Sequence, residues 1–143
     1  MANSFAHIEL NTDDALKAKR FYRRLFPSWN LVDMMMPSGT YTAFDVGVKG
    51  PGKKLAAGGG IQKKMPSAPT GWMPYVEVPD VAKGIAKAAK LGATVIMPTE
   101  DIGMGKIAIF SDPTGAFCGL WAPAPKKPAK KKAAKKVAKR AGR

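Results

Sequence analysis

The chain has 143 residues, 45% of them hydrophobic, with 24 Lys and Arg, ten Asp and Glu, one histidine and one cysteine. That length can bury one core without staples, Cys118 has no partner for an internal disulfide, and no apolar run reaches the roughly 18 residues of a membrane span. The formal charge of +14 is unevenly placed: all ten acidic residues precede Pro123, and ten basic residues lie from Lys126 to Arg143, so the tail holds +10 and the body +4.

Two materials are implied. Residues 1–122 read as a folded domain, and 123–143 as a Lys, Ala and Pro segment expected to be disordered when free, since it cannot build a core and its charges repel. One cysteine and no charged-then-apolar leader make the cytoplasm the expected location.

Phe5 to Leu10 alternates, with Ile8 and Leu10 on one face and His7 and Glu9 on the other, which predicts a half-buried strand. Thr12, Asp13 or Asp14 can cap the next helix, whose Ala18, Phe21, Tyr22 and Leu25 share a face opposite Lys17, Lys19, Arg20, Arg23 and Arg24. Pro27 stops it. Asn30 to Met36 and Thr40 to Val46, joined by Pro37, Ser38 and Gly39, form a hairpin. Lys49 to Lys54 reads as a loop, and Leu55 to Gln62 as a strand whose Gly58, Gly59 and Gly60 invite a bulge or a close approach. No Lys-Ser or Lys-Thr follows those glycines, so they do not make a phosphate loop. Lys63 to Thr70 reads as a linker.

The plan then repeats after 66 residues: Leu10 answers to Val76, Asp14 to Asp80, Ala18 to Gly84 and Leu25 to Leu91. Trp72 to Val78 is a strand, and Asp80 caps a helix with Val81, Ile85, Ala88 and Ala89 on its apolar face, ended by Gly92. Thr94 to Met97 is a strand closed by Pro98, Lys106 to Phe110 another, Asp112 to Gly115 a tight turn, and Phe117 to Trp121 the last strand. The expected fold is α+β: two tandem βαβββ modules, about 4–62 and 71–122, forming a curved, mostly antiparallel sheet around a cavity.

The repeat, with His7, Asp14, Ala18-Lys19-Arg20-Phe21-Tyr22 and Asp112-Pro113-Thr114-Gly115 in that order, resembles the vicinal oxygen chelate superfamily of glyoxalase, bleomycin-resistance and extradiol-dioxygenase-like proteins. The resemblance covers Ser4 to Trp121. Gly58-Gly59-Gly60, Trp72-Met73-Pro74-Tyr75-Val76, Asp101-Ile102-Gly103-Met104-Gly105 and Gly119-Leu120-Trp121 look like a glyoxalase-like subgroup of it. It implies a homodimer and, in metal-dependent members, His, Gln or Glu ligands from the first, fourth, fifth and eighth strands. Here His7 fits the first and Gln62 closes the fourth, but Met73 stands on the fifth and Gly119 where the final Glu is expected.

One histidine cannot hold a divalent ion, which needs several donors. A triad of His7, Glu9 and Glu77, of cavity-facing parity, is the remaining metal arrangement; His7 otherwise serves as a structural group or as a hydrogen-bonding or acid–base group in the pocket. The expectation is therefore no metal and no cofactor, with a small organic ligand against His7, Glu9, Met73, Tyr75, Glu77, Phe117 and Trp121, and His7 and Glu9 as the catalytic candidates. Met34, Met35 and Met36 are candidates for an adaptable wall or for ordinary core. Cys118, of opposite parity to Phe117, is expected to be inert.

The tail resembles linker-histone and nucleoid-protein tails. Lys126, Lys127, Lys130, Lys131, Lys132, Lys135, Lys136, Lys139 and Arg140 are its candidate contacts to DNA or RNA phosphates, sequence-independent and salt-sensitive. Two rival readings stand beside the leading one: a metal-dependent lyase, isomerase or dioxygenase-like enzyme, and a nucleoid-associated DNA-binding protein.

Overall fold

The structure is a computed structural model that describes residues 2–45 and 58–127. It contains β1 (Phe5–Thr12), α1 (Ala15–Leu25), β2 (Asn30–Met36), β3 (Gly39–Asp45), β4 (Gly58–Lys63), β5 (Gly71–Glu77), α2 (Val81–Lys90), β6 (Thr94–Asp101), β7 (Gly105–Ser111) and β8 (Phe117–Pro123). This is βαβββ twice. All eight strands join one open, curved sheet in the order β2-β3-β4-β1-β5-β8-β7-β6. The modules meet where β1 runs antiparallel to β5, and each module's first strand is parallel to its last. The α+β class is as the sequence predicts.

Both helices start on an aspartate. Asp14 accepts from the Lys17 amide at 2.9 Å and Asp80 from the Lys83 amide at 3.0 Å, each satisfying a donor that the first turn leaves open. Gly92, with φ +97°, follows the second helix and takes the left-handed conformation that favours glycine there. The helices share one face of the sheet. Under α1 lie Leu10, Phe44 and Ile61, met by Ala15, Ala18 and Tyr22; under α2 lie Ala108 and Leu120, met by Val81 and Ile85. Ile61 and Val81 are fully buried, each contributing about 1.5 to 3 kcal/mol.

Several boundaries differ from those predicted. β1 continues to Thr12, and the expected loop 49–54, with part of the expected fourth strand, lies outside the described residues. β6 passes through Pro98 to Asp101. It is an edge strand with register shifts between Val95 and Met97 and between Met97 and Glu100, a setting where a missing amide hydrogen breaks no ladder bond. The supposed linker is partly core: Ala68 is buried, and Met65 packs against the cluster of Met73, Tyr75 and Ile109. On α1, Phe21 and Leu25 are exposed instead of facing the sheet, because Tyr22 stacks on Trp29 and Phe26 over the sheet at that end. Ala89 on α2 is also exposed.

Candidate functional site

On the central strand, alternation sends Leu10 toward the helices and His7, Glu9 and Asn11 to the helix-free face. Directly opposite residues share a face, so register assembles the site. His7 pairs with Tyr75, which pairs in turn with Gly119; Glu9 pairs with Met73 and Gly60; Asn11 pairs with Gln62.

Glu9 is only 5% exposed, and a carboxylate so placed needs donors. It has them: Gln62 Nε2 donates at 2.8 Å, the Tyr75 hydroxyl at 3.2 Å and Asn11 Nδ2 at 3.4 Å, all to Oε1. Gln62 also donates to Asn11 Oδ1 at 3.1 Å. On the other side His7 Nε2 lies 2.6 Å from the Tyr41 hydroxyl and 3.8 Å from Glu9 Oε2. Burial, and after it the negative charge of Glu9, push the Tyr41 and Tyr75 phenols well upward, so both stay protonated donors. Each hydroxyl has one proton. With Glu9 as the stronger acceptor, Tyr41 donates to it and accepts from His7 Nε2–H, an assignment made from the network. His7 Nδ1, without a hydrogen bond among the described residues, is then the acceptor at the half-buried end of the chain.

Next to this polar chain lies an apolar wall. Met73, Tyr75 and Ile109 form a buried cluster joined by Ile107, Phe117 and Trp121. The structure thus brings His7, Glu9, Met73, Tyr75, Phe117 and Trp121 to one face. Glu77 is apart: its backbone bonds Ser4 and Asn3, and it joins neither His7 nor Glu9. Of the methionine run, Met34 pairs with Tyr41 on this face, while Met35 is 82% exposed. Cys118 is half-buried with its thiol pushed up by burial and by Asp112, and makes only a weak 3.6 Å contact to its neighbour's carbonyl. Lys126 and Lys127 are exposed; Lys130, Lys131, Lys132, Lys135, Lys136, Lys139 and Arg140 lie outside the described residues.

Sequence reasoning missed Tyr41 and Asn11. The glycines held the signal. A Cβ on Gly60 would fall inside the Tyr41 ring, one on Gly59 inside the Phe44 ring and against the Ile8 carbonyl, and one on Gly119 inside the Tyr75 ring. These bare backbones are seats for aromatic rings.

The donor set does not fit a divalent metal. Met73 and Gly119 give a hard cation nothing, the space where a side chain at 119 would begin is filled by Tyr75, and Oε1 of Glu9 already receives three donors. Among the described residues no three His, Cys, Asp or Glu side chains converge, so His7, Glu9 and Glu77 do not form the triad.

Comparison with known proteins gives a profile match over residues 4–117 to the Glyoxalase/Bleomycin resistance protein/Dioxygenase superfamily. CFP32 of Mycobacterium bovis, named as a provisional glyoxylase, is 36% identical over 121 residues, covering 80% of this chain and 43% of that protein. The anthracycline biosynthesis protein DnrV of Streptomyces peucetius is 28% identical over 130 residues, covering 81% and 46%. This chain thus spans less than half the length of either relative. Among solved structures, methylmalonyl-CoA epimerase of Streptomyces coelicolor superposes with a TM-score of 0.63 at 13% identity, over 87% of this chain and 100% of that one. The Mycobacterium tuberculosis epimerase gives 0.60 at 17%, over 88% and 94%. At such identities the likeness is one of fold. Profile and relatives agree with the double βαβββ sheet, and the chain belongs to the Glyoxalase/Bleomycin resistance protein/Dioxygenase superfamily.

Proposed function

We propose that this chain binds a small, mostly apolar organic molecule on the helix-free face without a divalent metal. The observation that carries this reading is the pairing of an apolar wall, Met73, Phe117 and Trp121, with a Glu9 carboxylate already satisfied by protein donors. Mostly apolar surfaces with a few convergent polar groups are what small-molecule sites look like. The ligand's body lies on the wall and its one hydroxyl donates to His7 Nδ1. Glu9 orients His7 through Tyr41 and does not touch the ligand. The names of the relatives, a glyoxylase and an anthracycline biosynthesis protein, point to different chemistries and leave the reaction open.

Two further parts belong to this reading. One is a homodimer, as the family resemblance implies. The lysines after Pro125 give loose, sequence-independent affinity for nucleic acid and with it an association with the nucleoid.

The test uses 1-naphthol and naphthalene, which differ by one hydroxyl, in ligand-observed NMR titrations. Phe117→Ala should weaken both. His7→Ala should weaken 1-naphthol about tenfold, the equivalent of one hydrogen bond, and leave naphthalene unchanged. Loss of neither ligand in both variants, or equal loss of both in His7→Ala, would overturn the reading.

A further inference from the structure

α1 has 11 residues, five of them cationic (Lys17, Lys19, Arg20, Arg23, Arg24) and none acidic. Lys19 is engaged by Asp33, which leaves the exposed arginines with no ion pair among the described residues. Arg20 and Arg24 stand one turn apart, and together with Phe21 and Leu25 they line an open hollow of about 550 Å³. Phe21 is 57% exposed, a large cost for an aromatic ring in water. Its ring is held from behind, edge-on to Tyr22 at 5.0 Å, and Tyr22 stacks on Trp29 at 6.0 Å. The outcome is an outward-facing aromatic ring beside a pair of arginines.

Topology sets this surface beside the start of the tail. β5 is antiparallel to β1 and β8 is parallel to β5, so β8 ends at the edge where β1 begins. β2 is parallel to β1 through β3 and β4, so it also starts at that edge, and α1 runs back there to reach it. The last turn of α1 and the exposed Lys126 and Lys127 therefore leave the same rim of the sheet. α1 lies over β1 and β4, two and three strands from β8, a lateral distance of about 10 to 15 Å.

We propose that α1 and the root of the tail form a surface for single-stranded nucleic acid, with Arg20, Arg23 and Arg24 on phosphates and Phe21 stacked on a base. Charge rejects the other occupants. A second copy docked here face to face would set four cations, unpaired among the described residues, against four, and this chain's own tail is repelled in the same way. A lipid surface calls for a continuous apolar face. Here arginines alternate with Phe21 and Leu25, while Ala15, Ala18 and Tyr22 face the sheet. Duplex DNA has its bases already stacked and offers Phe21 none, whereas single strands bind through cationic grooves with aromatic platforms.

This adds a folded surface to the tail reading above, and the test separates the two. Polarisation of labelled oligo(dT) of about 15 nucleotides is followed against salt for the full chain. In Arg20→Ala/Arg24→Ala the slope of log affinity against log salt should become shallower by about 1.4, two phosphates at about 0.7 each. Phe21→Ala should lose about tenfold in affinity with the slope unchanged. A full chain with Lys130, Lys131, Lys132, Lys135, Lys136, Lys139 and Arg140 changed to Gln, keeping Lys126 and Lys127, should retain binding that the arginine changes then abolish. If that chain binds nothing and the α1 variants match the wild type, the tail reading stands and this inference falls. If the wild-type chain does not bind, both fall. If the α1 variants lose only binding to phosphatidylserine–phosphatidylcholine vesicles, the surface is a lipid one and the inference is overturned.

Discussion

Glu9→Leu should destabilise the domain by about 3 kcal/mol or more, read as a lower urea midpoint at unchanged slope. The substituted side chain is of similar size and remains buried, so packing changes little. What is lost is the acceptor. Gln62, Asn11 and Tyr75 all donate to Oε1, and each donor left buried without a partner costs about 1 to 3 kcal/mol. Glu9→Gln keeps one carbonyl oxygen but turns an amide group toward existing donors, so it should fall between the wild type and the leucine variant. A loss under about 1 kcal/mol for Glu9→Leu would mean that the carboxylate is not the hub of the network.

Gly59→Ala should be as damaging, by about 3 kcal/mol, for a different reason. A methyl at 59 meets the Phe44 ring and also the Ile8 carbonyl, and the latter belongs to the pairing of β4 with β1 at the centre of the sheet. A ring can turn aside; a backbone oxygen held in a ladder cannot. Gly71→Ala, where a Cβ meets nothing within 4 Å, is the control and should change stability little. Thermal melts of the two would separate close approach from a general intolerance of alanine in these strands. Equal midpoints for both variants would contradict the packing seen at Gly59.

The same positions explain what could be read without a structure. Alternation in Phe5 to Leu10 was enough to put His7 and Glu9 on one face, because a strand's period of two leaves no other choice. The capping aspartates marked both helix starts, and the 66-residue offset implied the doubled module. Asn11 was missed because the predicted strand stopped at Leu10, one residue short of it, and Tyr41 because its role depends on which strands neighbour β1, a long-range property. The two parallel pairs, β1 with β4 and β5 with β8, each join strands separated in sequence by a helix and two further strands. Phe21 and Leu25 have an apolar spacing that fits a buried face, and only the aromatic stack of Tyr22, Phe26 and Trp29 turns them out. Pro98 misled because its effect depends on whether its strand lies at the edge of the sheet.

The central claim is a small-molecule site that works without a divalent ion, and metal content tests it most directly. The full chain, purified without chelator and without a metal-affinity tag, would be measured by elemental analysis and native mass spectrometry on one sample. The account predicts far less than one equivalent of any divalent metal and a mass that is, per chain, that of the polypeptide alone or with an organic adduct. One bound metal per chain, lost in His7→Ala, would contradict it.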